Sequence, residues 1–197
     1  MSTRLFDVLA HVAELLDDLG YNWALVGGLA VSAYVEPRFT RDIDIAVSVC
    51  DDDGAEDVVR SWQDAGFSIS DVIEQDATSR LATVRSHLPG EEHGVVVDLI
   101  FASSGIEPEL AARARRLELA EDLQIPVARP GHLVALKLLA VDEQARPQDR
   151  IDLEQLADIL DEAEREAAED AVALIEQRGY ARGRNLTRRL EEYVTGD

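Results

Sequence analysis

The chain has 197 residues, of which 40 are Asp or Glu and 19 Lys or Arg, for a formal net charge of −21. This length sustains a hydrophobic core, and an apolar fraction of 46% is too high for a disordered acidic tail. So large a negative charge repels phosphate and excludes broad adhesion to nucleic acid or anionic membrane, while leaving room for a local basic groove. Cys50 is the only cysteine, which rules out an intramolecular disulfide and favours a reducing, cytoplasmic setting. Arg4 followed by Asp7, Glu14, Asp17 and Asp18 is the wrong start for a signal peptide, and no apolar run approaches the ~18 residues of a membrane span.

In chain order, Leu5, Leu9, Val12, Leu15, Leu16 and Leu19 recur at helical spacing, and Gly20 stops that helix. Trp23 to Val26 form a short apolar run ending at Gly27-Gly28, followed by a short helical pattern through Val35 that Pro37 breaks. Ile43, Ile45 and Val47 alternate with Asp42, Asp44 and Ala46, a strand with two carboxylates on one face. A helix from about Ala55 to Ala65 ends at Gly66. Leu81 to Arg85 and Val95 to Phe101 read as two strands of a hairpin turning at Pro89-Gly90. After Pro108 the pattern is helical, over 108–122, 131–143, 149–163, 166–178 and 185–194. The expected fold is α+β: a small mixed sheet flanked by helices over residues 1–105, then a helical C-terminal domain over 106–197, with Ser103-Ser104-Gly105 at the boundary.

Charge is unevenly distributed along these segments. Residues 1–141 sum to −13 and residues 142–177 to −10, whereas the last twenty sum to +2. The acidic stretch is either a solvated helix face or a surface for a basic partner.

The densest chemistry lies between Gly27 and Asp44. Glycines at a strand-to-helix turn let backbone approach a phosphate, and Asp42 and Asp44 project to the same side of their strand. Two adjacent carboxylates call for a cation between them, and carboxylates shared with substrate phosphates suit Mg²⁺. Asp98 interrupts an otherwise apolar strand. If that strand neighbours Asp42 and Asp44, three carboxylates could hold two metal ions; otherwise Asp98 faces water at a sheet edge. Lys137, the only lysine, has Leu133, Val134, Ala140 and Val141 as its helical neighbours. It either snorkels to the surface or projects into a cleft as a point charge for a triphosphate.

Val26-Gly27-Gly28 followed by Arg38-Phe39-Thr40-Arg41-Asp42-Ile43-Asp44 resembles the signature of polymerase-beta-like nucleotidyltransferases. More narrowly it resembles the abortive-infection toxins, the AbiEii group with the MenT toxins, in which a lysine on a later helix precedes an aspartate-containing stretch. Here these are Lys137 and then Arg146 to Asp152. The resemblance spans roughly residues 20–160. It implies that Gly27 and Gly28 hold the nucleotide phosphates, that Asp42 and Asp44 bind Mg²⁺, that Lys137 contacts the triphosphate, and that Asp152 completes the site; Arg41 is a further candidate for the nucleotide, and Asp98 for the metal or for activating the acceptor hydroxyl. It further implies transfer of a nucleotide from an NTP to the 3′ end of tRNA, growth arrest, and a cognate antitoxin, with Thr40 as the position that an antitoxin kinase would phosphorylate. A phosphate on Thr40 would add about −1.5 to −2 charges beside the metal site.

RNA contacts are expected from Arg178, Arg182, Arg184, Arg188 and Arg189 with Tyr180 among them, and from Arg113, Arg115 and Arg116. The same arginines also read as surface compensation of acidic neighbours. Two alternatives share the motifs: a small-molecule (antibiotic) nucleotidyltransferase, and a catalytically inactive nucleotide-binding regulatory module.

Overall fold

The computed structural model describes residues 3–75, 78–88, 94–140 and 147–195. Its centre is a seven-stranded mixed sheet, β1 (Trp23–Val26), β2 (Asp42–Val47), β3 (Ser68–Glu74), β4 (Leu81–His87), β5 (Val96–Ile100), β6 (Arg115–Ala120) and β7 (Leu123–Val127), in the order β3-β4-β5-β2-β1-β7-β6. Strands β2 and β5 run parallel, as do β1 and β7; the other neighbours are antiparallel.

The helices are α1 (Thr3–Asp18), α2 (Gly27–Val31), α3 (Asp52–Asp64), α4 (Glu107–Ala112), α5 (Pro130–Ala140), α6 (Pro147–Asp158), α7 (Glu162–Gln177) and α8 (Leu186–Leu190), with a π turn at Glu191–Thr195. One face of β2 carries Ile43, Ile45 and Val47, all fully buried, as are Val97 and Leu99 on β5. Trp62 of α3 closes part of this core, stacking on Phe67 at 4.5 Å and donating its indole N–H to Ser86 Oγ. Helices α2 and α4 pack on β1 and β2, and α5 packs against α6, α7 and α8. Among the described residues no helix is long and apolar enough to cross a membrane.

The sequence expectations for 5–19, 23–26, 43–47, 55–65, the 81–85/95–101 hairpin and the helix from 131 are met within a few residues. The Pro89-Gly90 turn falls outside the described residues. Two corrections concern the sheet. The helix expected over 108–122 is a short α4 followed by the β6–β7 hairpin, turning at Asp122 with φ +60°. Alanine, arginine, leucine and glutamate favour helix locally, and pairing of β7 with β1 overrides that preference. The sheet therefore continues past residue 105, and the wholly helical part begins only at Pro130. Strand β3 escapes the pattern because, at the sheet edge, it leaves Val72 and Ile73 exposed and so lacks an in/out alternation.

Candidate active site

Register assembles the site. Val26, Asp44, Asp98 and Arg85 are partners across β1, β2, β5 and β4, one row of side chains on one face of the sheet. Asp42 lies two residues before Asp44 and shares that face. Ala46, Ile100 and Thr83 form the next row. These two rows, with Gly27, Gly28, Arg38 and Thr40 at one end and Leu133, Leu136, Lys137 and Asp149 from α5 and α6, surround a cleft of about 450 Å³.

Gly27 has φ +65°, and a Cβ there would run into the Asp44 carboxylate. A Cβ on Gly28 would run into the Arg38 guanidinium. Gly27 is therefore demanded by its positive φ and by close approach, since the turn after β1 lies directly against the acidic centre, while Gly28 leaves room for the Arg38 guanidinium.

The carboxylates are not equivalent. Asp98 is held by a two-pronged pair from Arg85, Nε to Oδ1 at 2.9 Å and Nη2 to Oδ2 at 2.7 Å. The hydrogen bonds to Asp98 raise the pKa of Arg85 above its ordinary value. Asp42 and Asp44 make no side-chain hydrogen bond or ion pair among the described residues. Burial, then the charges of Asp98 and Asp42, push Asp44 up to about 7 against the opposing pull of Lys137 and Arg85.

Mg²⁺ is commonly held by one or two carboxylates together with substrate phosphates, and two like charges without a donor fit that requirement. The strand of Asp98 does neighbour Asp42 and Asp44, as the three-carboxylate expectation required, but Asp98 already has a cationic partner. Among the described residues no group of three His, Cys, Asp or Glu is disposed to hold a metal, and Asp98 directs both oxygens to Arg85.

Lys137 is buried in the cleft wall, its ammonium 2.7 Å from both Asp149 Oδ1 and Asp152 Oδ2. It lines the cleft rather than snorkelling to the surface, and two carboxylates already occupy the amine. Asp152, fully buried, also takes a fork from Arg38 (2.9 Å to each oxygen) and the Gln148 amide at 3.1 Å. Burial acts to raise its pKa, and the hydrogen bonds from Arg38, Lys137 and Gln148 outweigh it, so the pKa is lowered. Arg38 stands in the sequence motif but has no role legible from it, and neither has Arg85; Arg38 meets Asp152 across 114 residues, and Arg85 meets Asp98 across the β4–β5 hairpin.

Thr40 lines the cleft mouth, with its hydroxyl near the Asp42 backbone. Arg41 is not among the cleft residues; it stacks over Phe39, 5.4 Å from the ring centroid, and Phe39 is 73% exposed.

The expected RNA contacts divide. Arg182 lines the cleft and donates to Ser103 O and Oγ. Arg178 pairs with Glu109 and donates to Gly105 O. Arg184 and Arg189 donate to the carbonyls of Leu139 and Leu138, near the C-terminal end of α5, and Arg188 pairs with Glu192 in the adjoining π turn. Tyr180 is buried against Gly105 and offers no stacking face. Arg115 pairs with the buried Glu164, and Arg116 lies 3.5 Å from Asp17.

Solved structures share this architecture. The chain resembles an antigenic nucleotidyltransferase-like protein from Paracoccidioides brasiliensis, with 19% identity and a TM-score of 0.53 over 96% of this chain and 93% of that one. It also resembles the antibiotic-resistance factor ANT(2″)-Ia, with 17% identity and a TM-score of 0.57 over the whole of both chains. A third likeness is to MenT4, a nucleotidyltransferase toxin of Mycobacterium tuberculosis H37Rv, with 20% identity and a TM-score of 0.51 over 85% of this chain and 63% of that one. At such identities these likenesses speak for the fold, and no curated protein matches the sequence. The family is settled by a sequence model described as nucleotidyl transferase AbiEii toxin, type IV toxin–antitoxin system, which matches residues 9–195: the chain belongs to the AbiEii nucleotidyltransferase toxins.

Proposed function

We propose that this protein is a Mg²⁺-dependent nucleotidyltransferase toxin that transfers a nucleotide from an NTP to the 3′ end of tRNA. The observation that carries the chemistry is the row Asp44–Asp98 with Asp42 beside it, at the base of a cleft whose wall holds Lys137. Asp42 and Asp44 would hold Mg²⁺, which, when bound, neutralises the NTP phosphates and polarises the reacting oxygens. Gly27 and Gly28 leave room for the nucleotide phosphates against the acidic centre. Lys137 contacts the triphosphate once that anion displaces one of its two carboxylate partners. Asp152, gripped by Arg38, keeps the lysine aimed at the cleft. The acceptor hydroxyl gives up its proton, to Asp98 or to solvent, and attacks the α-phosphate; the bond from the α-phosphorus to the bridging oxygen breaks and pyrophosphate leaves, with catalysis coming from positioning and charge neutralisation.

Growth arrest would be relieved by a cognate antitoxin. Thr40 at the cleft mouth suits inhibition by phosphorylation, since a phosphate there would repel the NTP. Mass spectrometry of the toxin co-expressed with its antitoxin tests this, and an unmodified Thr40 in neutralised toxin removes the idea.

The full-length likeness to ANT(2″)-Ia favours a second reading, adenylylation of a small molecule. Incubation with labelled NTPs and total RNA, and separately with aminoglycosides, separates the two. Label on RNA is expected; label on the drug alone overturns the toxin reading. Growth inhibition that survives Asp42→Ala, Asp44→Ala and Lys137→Ala would favour the inactive regulatory module instead.

A further inference from the structure

A second carboxylate site borders the same cleft. Glu107, the first residue of α4, is 2% exposed, yet it lines the cleft with Ser103, Ser104 and Arg182. Its two oxygens are used unequally. Oε1 accepts from Ser103 N–H at 2.9 Å, Ser104 N–H at 2.7 Å and Ser104 Oγ–H at 2.9 Å. Oε2 is shielded from solvent and has no hydrogen-bond partner among the described residues. A carboxylate offers about four acceptor positions, and buried ones are ordinarily filled. One oxygen thus fixes the loop; the other, sealed from solvent and without a donor among the described residues, is reached only when the side chains around it shift.

The surroundings select the donor. Arg182 lines the same end of the cleft and donates to Ser103 Oγ, leaving the serine proton available to an incoming oxygen. Arg178 holds the loop at Gly105, and the charge of Glu107 acts on it. Arg182 at Ser103, and Arg178, which pairs with Glu109 but also feels the charge of Glu107, place two guanidinium groups nearby; their positive charge disfavours an ammonium ligand, and the carboxylate itself repels phosphate. A neutral hydroxyl satisfies both: it donates to Oε2 and accepts from Ser103.

We infer that Ser103, Glu107 and Arg182 form a subsite for a ribose hydroxyl, supplied either by the incoming NTP or by the terminal nucleotide of the acceptor. The inference rests on the reading of the cleft as a nucleotidyltransferase site.

The test compares ribose with deoxyribose in each source. Mg²⁺ complexes of the four NTPs and of their 2′-deoxy and 3′-deoxy counterparts are titrated into the full chain, with binding read by thermal shift. A 5′-fluorescent RNA oligonucleotide ending in ribose, or in 2′- or 3′-deoxyribose, is titrated by anisotropy. The wild type should prefer the ribose form at least about tenfold in one arm, the worth of one charge-assisted hydrogen bond. Glu107→Gln keeps an oxygen for the two serines and replaces Oε2 by a donor, so that preference should fall to within about twofold.

Wild-type protein that binds ribose and deoxyribose forms alike overturns the subsite, whether or not the variant folds. So does a folded Glu107→Gln that keeps the wild-type preference. Wild-type protein that binds no nucleotide at all overturns the nucleotidyltransferase reading and the subsite with it.

Discussion

At the scale of single residues, the acidic centre divides into two carboxylates without a donor among the described residues, Asp42 and Asp44, and one, Asp98, locked by Arg85. Asp42 and Asp44 announce themselves by alternation, and Asp98 by standing alone among apolar neighbours. Their ion-pair partners were not legible, since Arg85 and Arg38 meet Asp98 and Asp152 only through the fold. Two predictions belong here. Asp44→Asn deletes a charge with little change of shape. It should abolish the upward thermal shift produced by Mg²⁺ with NTP and lower transfer at least ~100-fold while the chain stays folded. Arg38→Ala removes one of three donors from a fully buried carboxylate, and breaking such a pair should cost about 2–4 kcal/mol. Arg38→Lys keeps the charge but not the fork, so urea denaturation should place it between Arg38→Ala and the wild type.

At the scale of elements, α5 joins the site to the body of the protein. Its N-terminal turn is tied to α7, where Glu164 Oε2 accepts from Gly131 N–H at 3.0 Å and Oε1 takes Arg115 and Arg129. Arg184 and Arg189 engage carbonyls at the other end, so two arginines that read as RNA contacts instead satisfy orphan groups of this helix. That role could not be read from composition, for the same reason the β6–β7 hairpin was missed: each is decided by tertiary partners. His132 lies buried on α5, its Nδ1 unpartnered among the described residues. Burial first, then Arg129 and Arg113, push its pKa down to about 4, against the charges of Glu164 and Glu109. The folded value lies below the ordinary 6.5, so the unfolded chain takes up the proton first, and stability is lost as pH falls from about 6.5 towards 4. Between pH 7 and pH 5 the wild type should lose about 2 kcal/mol through this group. Urea titrations of His132→Gln at the two pH values should show that increment gone.

At the scale of the whole molecule, a net charge of −21 does not mean a uniformly acidic surface. Asp149, Asp152 and Glu164, all from the acidic stretch after residue 141, are buried against Lys137 or arginines. The basic tail is similarly engaged: Arg178, Arg184, Arg188 and Arg189 contact carboxylates or helix carbonyls of their own chain. What remains for an RNA acceptor is a small set: Arg41 over the exposed Phe39 outside the cleft, Arg182 at the cleft beside Ser103, and the exposed Arg113, inside a field that opposes phosphate. Single-stranded binding falls with salt by about 0.7 log units per log unit for each phosphate neutralised. Two or three contacts therefore predict a slope of about −1.5 to −2 in log affinity against log salt. Anisotropy titrations of a single-stranded RNA oligonucleotide between 50 and 200 mM salt, about a fourfold change, should show a loss of roughly 8- to 16-fold. A much steeper dependence would mean that the arginines of the C-terminal segment leave their internal partners to meet the RNA.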